Sequence, residues 1–191
     1  ETPTITYEWT NGSSILGTSS ILTLTSVTAA PSDSITCTAA ATDGSGDTDS
    51  GYTSVSVDNS VPVLASVSIS PSSGVTTSST LTCSATATDA DGGSSTITYE
   101  WVNGSSTLGT SSSLTLTTST ASPSDTITCE ATATDADGGT DSGTDSVSVD
   151  NTAPVVTSVA VSPSSGVTVD STLTCSATAT DADGGSPAIT Y

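Results

Sequence analysis

The sequence contains no Lys, Arg or His among its 191 residues, and its 20 Asp and Glu residues give a formal net charge of −20 at pH 7. Phosphate groups are bound mainly through cationic side chains, so this absence argues against a nucleic-acid partner. The same absence disfavours binding to anionic membrane surfaces. No apolar run approaches the roughly 20 residues of a membrane helix, so we expect no membrane insertion by this segment.

The missing side chains also remove most catalytic chemistry. Without His, Lys or Arg the chain has no imidazole base, no Schiff-base lysine and no arginine clamp. Paired carboxylates can hydrolyse glycosides, but these acids stand beside glycines, and aromatic residues make up only 3% of the chain, too few to build a sugar cleft. We therefore predict that the protein is not an enzyme and assign no catalytic residue.

Regular alternation of apolar and hydroxylated residues is the main structural signal in the sequence. The segments ITYEW, SLTLT, TLTCSATAT and DSVSVDN all show this period of two, which is typical of half-buried strands. Threonine suits the exposed face of such strands because its β-branched side chain fits the pleat. High charge with few aromatics is also typical of disorder, but the alternation and the lack of helical periodicity favour an all-β fold.

The chain is built from repeats. TCSATATDADGG begins at Thr82 and recurs, with one change, at Thr128 and again at Thr174, at intervals of 46 residues. A longer period of 92 residues runs through the whole chain: Tyr7, Trp9, Cys37, Asp58, Asn59 and Pro62 recur as Tyr99, Trp101, Cys129, Asp150, Asn151 and Pro154. A unit of that length suits one self-contained sandwich domain.

The period predicts three domains. Residues 59–151 form one complete repeat, residues 1–58 form a partial repeat with strands C to G, and residues 152–191 form another with strands A, B and the start of C. Turn-forming segments such as PSSG, NGSS and SPSD separate the strands. In the complete repeat we predict strands A (64–70), B (80–88), C (97–102), C′ (106–109), E (113–117), F (126–134) and G (145–151).

Cys83, Trp101 and Cys129 have the order and approximate spacing of the B-strand Cys, C-strand Trp and F-strand Cys of immunoglobulin domains. YEWVNGSSTLG, SLTLT and SPSDTITC are similar to the C-to-F run of such a module, although Ile127 replaces the tyrosine of the antibody-type corner. The chain thus resembles the tandem immunoglobulin-like or cadherin-like repeats of microbial surface adhesins and filaments. This resemblance implies tandem Greek-key β-sandwiches with a 92-residue repeat.

The resemblance also implies a disulfide between Cys83 and Cys129, packed on Trp101; a buried pair of free thiols is the alternative. A disulfide would indicate an oxidising, extracellular or cell-surface location. Cys37 and Cys175 have no partner within their own partial repeats. They are expected to bond either to further repeats of a longer chain or to another molecule in a head-to-tail polymer. ETPTITY and GSPAITY overlap in the repeat and differ in sequence, which favours the longer chain.

In a Greek-key sandwich, strands B and F run toward the same end, so the two DADGG loops are expected to meet the linker from the preceding repeat. Five carboxylates without a cation would repel one another, and Ca2+ prefers oxygen ligands of this kind. The predicted calcium ligands are Asp58, Asn59, Asp89, Asp91, Asp135 and Asp137, with Asp150, Asn151, Asp181 and Asp183 at the next junction. The alternative is that these residues are ordinary turn formers that keep the surface soluble.

Asn11 and Asn103 stand in NGS sequons at the predicted C–C′ turn and are candidate glycosylation sites, with unmodified Asn-Gly turns as the alternative. Taken together, the sequence predicts a non-enzymatic structural module of an extracellular filament, stalk or surface protein. Its expected partners are further copies of the same repeat. A cell-surface adhesin module that recognises carbohydrate or a partner protein is the alternative function, and Tyr52, which replaces Thr144 of the next repeat, is its only sequence indication.

Overall fold

The computed structural model describes residues 2–191, and its secondary structure there consists of β-strands joined by turns and loops. The strands are β1 (Thr4–Asn11), β2 (Ser14–Gly17), β3 (Ser34–Thr42), β4 (Thr48–Ser56), β5 (Val63–Ser70), β6 (Thr80–Thr88), β7 (Thr96–Asn103), β8 (Ser106–Gly109), β9 (Ser113–Thr115), β10 (Thr126–Thr134), β11 (Thr140–Ser148), β12 (Val155–Ser162) and β13 (Thr174–Thr180). Over this range no helix is apolar and long enough to cross a membrane.

The strand order identifies an immunoglobulin-like fold. In the central repeat one sheet has the order β5-β6-β9, which corresponds to strands A, B and E, and the other has the order β11-β10-β7-β8, which corresponds to G, F, C and C′. The first repeat contains the matching sheet β4-β3-β1-β2, and the last contains the matching pair β12-β13. The prediction of an all-β, immunoglobulin-like sandwich fold is confirmed.

Local sequence explains the hairpins of these sheets. β7 and β8 are joined by a two-residue turn at Gly104 and Ser105, and Gly104 has a φ of 59°, a left-handed conformation that glycine adopts without steric cost. The pair β3–β4 is an uninterrupted antiparallel ladder from Ser34↔Ser56 to Thr42↔Thr48. The acidic turn at 43–47 joins the two strands, and their pairing begins at Thr42↔Thr48, directly beside this turn.

The core of the central repeat forms around a disulfide between Cys83 and Cys129. The two cysteines are 46 residues apart in sequence, and their sulfur atoms are 2.09 Å apart. Trp101 packs in the same cluster with no exposed surface, and its indole N–H donates to the carbonyl of Ser111 at 2.8 Å. The other buried members are Ile69, Val75, Leu81, Leu116, Ala121, Ile127, Val147 and Val149. Ile127 is fully buried, so a side chain without a polar group occupies the position of the antibody-type tyrosine.

The chain divides into two compact units. One contains the residues up to Ala65 together with Thr86–Ile97 and Thr132–Ser142, so it holds the first partial repeat and the loops that follow β6 and β10. The other contains Ser66–Ala85, Thr98–Ala131 and Gly143–Tyr191, and it holds the disulfide core and the last partial repeat.

Three strands differ from their sequence-based predictions. Strand G was expected at 145–151, but β11 runs over Thr140–Ser148 because pairing begins directly after the tight turn at 135–139. Residues 21–25, the predicted E strand of the first repeat, are not in a strand. The E strand of the central repeat is formed by pairing with B, as in Leu81↔Leu114, and the described residues supply no B strand to the first repeat. Similarly, the predicted start of strand C at 189–191 forms no strand.

We expect the double variant Cys83→Ala/Cys129→Ala to lose about 4 kcal/mol of unfolding free energy, because removing the cross-link restores loop entropy to the unfolded chain. The measurement is urea unfolding of the whole chain in a Trp9→Phe background, so that fluorescence reports on Trp101 alone. A change below about 1 kcal/mol would contradict a structural role for this disulfide.

Candidate functional site at the acidic loops

The first aspartate of each acidic loop folds its own loop. Asp89 Oδ1 accepts a hydrogen bond from the backbone N–H of Asp91 at 2.7 Å. Asp135 Oδ1 accepts from the N–H groups of Asp137 and Gly139 at 2.9 and 2.7 Å. The corresponding aspartates of the outer repeats, Asp43 and Asp181, accept equivalent bonds. These carboxylates therefore act as turn formers, one of the roles that the sequence left open.

Both loops of the central repeat contact the linker that precedes it. Asn59 Nδ2 donates to Asp135 Oδ2 at 2.9 Å, in the loop after β10. The N–H of Ser60 donates to Asp91 Oδ2 at 2.7 Å, in the loop after β6, and the Ser60 hydroxyl lies 3.3 Å from Asp91 Oδ1. Adjacent linker residues are thus bound to the two acidic loops, one to each.

A glycine makes room for one of these contacts. A Cβ atom added to Gly139 would lie 2.5 Å from Asp135 Oδ2 and 2.9 Å from Asn59 Nδ2. Gly93 occupies the same place in the loop after β6, where an added Cβ would meet no atom within 4 Å. The second glycine of DADGG is therefore required by packing after β10 only.

The hydrogen bonds lower the pKa of Asp135 below its ordinary value of 3.8. The bond from Asn59 is the largest cause, desolvation comes second and opposes it, and the backbone N–H groups of Gly139, Asp137 and Gly138 lower the pKa further. These donors stabilise the carboxylate form over the protonated form. The hydrogen bond from Asn59 is therefore made to the ionised form of Asp135.

The linker-to-loop bond recurs at the second junction. The N–H of Thr152 donates to Asp183 Oδ2 at 2.6 Å, which repeats the bond between Ser60 and Asp91 after 92 residues. Asp183 Oδ1 also accepts from the hydroxyl of Thr77 at 2.9 Å, and Thr77 is only 2% exposed. At this junction one carboxylate binds both the linker and the loop between β5 and β6.

The aspartates predicted as calcium ligands are not gathered around one point. Asp58, Asp137 and Asp150 are exposed, as is Asn151. In the part of the chain that the structure describes, no group of three or more Asp, Glu or Cys side chains is placed to hold one metal ion. The arrangement does not fit a preformed calcium cage, because the inward-facing carboxylates are directed to backbone and amide donors.

Sequence reasoning missed three of the residues that bind these aspartates, namely Ser60, Thr152 and Thr77. Ser60 and Thr152 recur at the 92-residue period and directly follow the recognised Asp-Asn pair, so the repeat itself contained the signal. Thr77 had no such signal, because its equivalent in the next repeat is Val169.

Asp141 and Asp145 accept from the backbone N–H groups of Leu64 and Ile69, both at 2.8 Å. Asp141 and Asp145 thus accept hydrogen bonds from the backbone of β5. The period of the sequence gives no indication of these two contacts.

The two candidate glycosylation residues are engaged in hydrogen bonds. Asn103 Nδ2 donates to Asp125 Oδ2 at 2.7 Å and to the carbonyl of Thr120 at 3.1 Å, and Asn11 makes the equivalent pair of contacts. The backbone N–H of Ser122 and then Asn103 lower the pKa of Asp125. Each Asn thus ties its C–C′ turn to the loop before strand F, and glycosylation at these residues stays a prediction.

The two remaining cysteines are unpaired within residues 2–191. Cys37 is half-buried on β3, and Cys175 is exposed on β13. They occupy the F-strand and B-strand positions of their repeats, as expected.

No protein-family model and no curated protein matches this sequence. Among solved structures the chain is similar to fibronectin(III)-like modules of Clostridium thermocellum CbhA, with a TM-score of 0.35, 18% identity, and coverage of 78% of this chain and 80% of that one. It is also similar to an amphioxus IgVJ-C2 molecule, with a TM-score of 0.38, 15% identity, and coverage of 76% and 88%. At such low scores the fold assignment rests on the chain's own strand order and disulfide.

We expect Asn59→Ala to raise the pKa of Asp135 toward 3.8, because it removes the strongest donor to that carboxylate. A group with a lowered folded-state pKa stabilises the fold above its unfolded-state pKa and loses that contribution as pH falls through the folded-state value. The stability deficit of the variant should therefore be full above about pH 4 and shrink at lower pH. NMR titration of the Asp135 carboxyl and urea unfolding at several pH values measure these effects.

Asn151→Ala is the matched control, since Asn151 is the equivalent of Asn59 in the next repeat and is not a donor to Asp135, and it should leave the pKa of Asp135 unchanged. Gly139→Ala should act like Asn59→Ala because its Cβ forces the two side chains apart, whereas Gly93→Ala should not. An unchanged Asp135 titration in Asn59→Ala would show that the contact does not form in solution.

Proposed function

We propose that this chain is a non-enzymatic structural module of an extracellular filament, stalk or surface protein. In this proposal its sandwiches form a linear array, and the linker between successive repeats is restrained by the acidic loops. The observation that carries the proposal is the bond from the linker to the loop after strand B, which occurs at 2.7 Å from Ser60 and at 2.6 Å from Thr152. A contact repeated at the period of the sequence is what a regular array requires.

A second repeated contact supports restraint at the same junctions. A Cβ atom added to Gly92 would lie 3.1 Å from the Ser26 side chain, and one added to Gly184 would lie 3.3 Å from Thr118. Ser26 and Thr118 are equivalent residues, as are the two glycines, so the loop between strands E and F approaches the loop after B in the same way twice. Close packing of this kind limits the freedom of a short linker.

Composition and cross-linking support an extracellular setting. The chain contains the Cys83–Cys129 disulfide, and disulfides persist in oxidising compartments and are rare in the cytosol. The net charge of −20 keeps such a surface soluble, and the absence of Lys and Arg leaves no cleavage site for trypsin-like proteases. The absence of His, Lys and Arg supports a role without catalysis.

We expect Asp91→Ala to expose the backbone N–H of Ser60, and Asp183→Ala that of Thr152, because each carboxylate is the acceptor for that group. A hydrogen bond to a charged group protects by about tenfold or more, so amide exchange at the two positions should accelerate by at least that factor. Asp137→Ala is the control, since Asp137 is exposed and accepts neither bond. Hydrogen exchange by NMR, with 15N relaxation over residues 57–61, measures protection and linker motion.

Equal linker motion in Asp91→Ala and in the unmodified chain would argue against a restrained array. At the level of the whole protein, electron micrographs of native material labelled with antibody to this chain should show extended extracellular structures. Label confined to compact particles inside cells would overturn the proposal.

Calcium at the junctions is a further part of this proposal and stays a prediction. It is supported by the concentration of carboxylates in a chain that has no cationic side chain to neutralise them. Exposed acids such as Asp58 and Asp137 would have to turn toward Asp91 and Asp135, since the side chains are not preassembled around a cation.

If calcium binds, an excess of chelator should lower the Tm of the chain, and millimolar CaCl2 should restore it. Differential scanning calorimetry at constant ionic strength measures this effect, with MgCl2 as the control for general screening of charge. An identical Tm with calcium and with chelator would reject the calcium hypothesis and leave the hydrogen bonds as the restraint.

A ligand-binding adhesin module is the second candidate function. Tyr52 lies on β4 and is 81% exposed, so it offers an aromatic surface of the kind that stacks on sugars. Binding to a glycan array that is lost in Tyr52→Thr, which restores the residue of the next repeat, would favour the adhesin over the structural module.

A further inference from the structure

Two Asn-Gly sequences, Asn11-Gly12 and Asn103-Gly104, stand at the turns between strands C and C′. An asparagine before glycine is prone to lose its amide, because glycine has no side chain to hinder attack of its backbone nitrogen on the asparagine side chain. Both glycines are exposed, with φ values of 57° and 59°, and a Cβ added to either would meet no atom within 4 Å. The attacking nitrogen therefore lies in an open turn in both repeats.

The side-chain amide of each asparagine is bound to the loop before strand F. Asn103 Nδ2 donates to Asp125 Oδ2 at 2.7 Å and to the carbonyl of Thr120 at 3.1 Å. Asn11 makes the equivalent contact with Asp33 Oδ2 at 2.6 Å. An amide nitrogen carries two hydrogens, so both hydrogens of Asn103 are donated. Loss of the amide expels this nitrogen and therefore breaks both bonds.

The charge of the acceptor opposes the reaction further. The backbone N–H of Ser122 and then Asn103 hold the pKa of Asp125 below its ordinary value of 3.8, so this side chain is a carboxylate at neutral pH. A backbone N–H and an asparagine amide likewise lower the pKa of Asp33. A carboxylate binds the amide by a charge-assisted bond and disfavours a second negative charge close to it. The product of the reaction would carry such a charge.

Water, the second reactant, has access to the site in the central repeat. A surface recess of about 280 Å³ is lined by Asn103, Asp125, Ser106 and Leu108, together with residues 118–122. Asn103 itself is half-buried. Slow reaction at Asn103 would therefore be due to the bonds of its side chain rather than to exclusion of water.

We propose that Asn103 and Asn11 are latent sites of deamidation, which Asp125 and Asp33 hold in check in the folded chain. In the reaction at Asn103, the backbone nitrogen of Gly104 loses its proton to solvent and bonds to Cγ, while Nδ2 takes up a proton and leaves as ammonia. Water then opens the succinimide ring at either carbonyl and gives aspartate or isoaspartate. Neither product can donate to Asp125, so the tie between the C–C′ turn and the loop before strand F is replaced by repulsion between carboxylates.

The test compares the unmodified chain with Asp125→Ala and Asp33→Ala during incubation at mildly alkaline pH, which speeds loss of the backbone proton. Asp125→Ala should accelerate deamidation of Asn103 about tenfold or more, because the lost bond was made to a charged group, and it should leave Asn11 unchanged. Asp33→Ala should do the reverse, so each variant contains its own control. Peptide mass spectrometry, with separation of aspartate and isoaspartate, measures both rates.

Leu81→Ala separates release of the amide from a general loss of stability. Leu81 is fully buried in the core, so the variant is destabilised by a cavity while the bond from Asn103 to Asp125 is retained. At a temperature where both variants are folded, Asn103 should react more slowly in Leu81→Ala than in Asp125→Ala. Asp125→Asn, whose side-chain carbonyl can still accept the bond, should also react more slowly than Asp125→Ala.

Equal rates at Asn103 in Asp125→Ala and in the unmodified chain would overturn the proposal, as would equal acceleration by Leu81→Ala. Asn103→Asp imitates one product and should lower the Tm, but much less in an Asp125→Ala background, where the repulsion is absent. An equal loss of Tm in the two backgrounds would contradict that repulsion. Amide protection at Ser60 and Thr152 tests the restrained array separately.

Discussion

The disulfide between Cys83 and Cys129 is the constraint on which the rest of the structure depends. It joins strand B to strand F across a core with few large side chains other than Trp101. Because the two strands are held opposite each other, the loops that follow them reach the same linker, one at Asn59 and the other at Ser60. At the second junction the equivalent bond from Thr152 to Asp183 forms although Cys175 is unpaired, so the contact with the loop after strand B does not itself require the cross-link.

Charge acts in this protein through hydrogen bonds rather than ion pairs. The chain has no basic side chain, so each carboxylate that is turned inward must find a neutral donor. Asp135 binds the amide of Asn59 and the N–H groups of its own loop, and Asp125 binds Asn103 and Ser122. Neutral donors lower the pKa of both carboxyls without neutralising the overall charge. The surface therefore stays strongly acidic while the turns and linkers are ordered.

The outer repeats show how much of a sandwich depends on its second sheet. Ladders between neighbours in sequence, such as β3–β4 and β12–β13, form in the partial repeats as they do in the complete one. The E strand at 21–25 does not form where strand B is missing, although its sequence alternates as well as that of β9. Local pattern is sufficient for hairpins, but pairing between strands distant in sequence requires the partner to be present.

The sequence by itself determined the strands, the 92-residue repeat and, through the resemblance to immunoglobulin domains, the cysteine pair. These features follow from alternation and spacing, which are local and periodic, and G alone among the central strands was displaced, because a tight turn let its pairing begin earlier. Only the tertiary structure decided where each carboxylate is directed. Aspartates with the same loop sequence differ in partner, since Asp91 binds a backbone N–H and Asp135 an amide side chain. That choice depends on which donors the folded chain places within about 3 Å, a distance that sequence spacing does not encode.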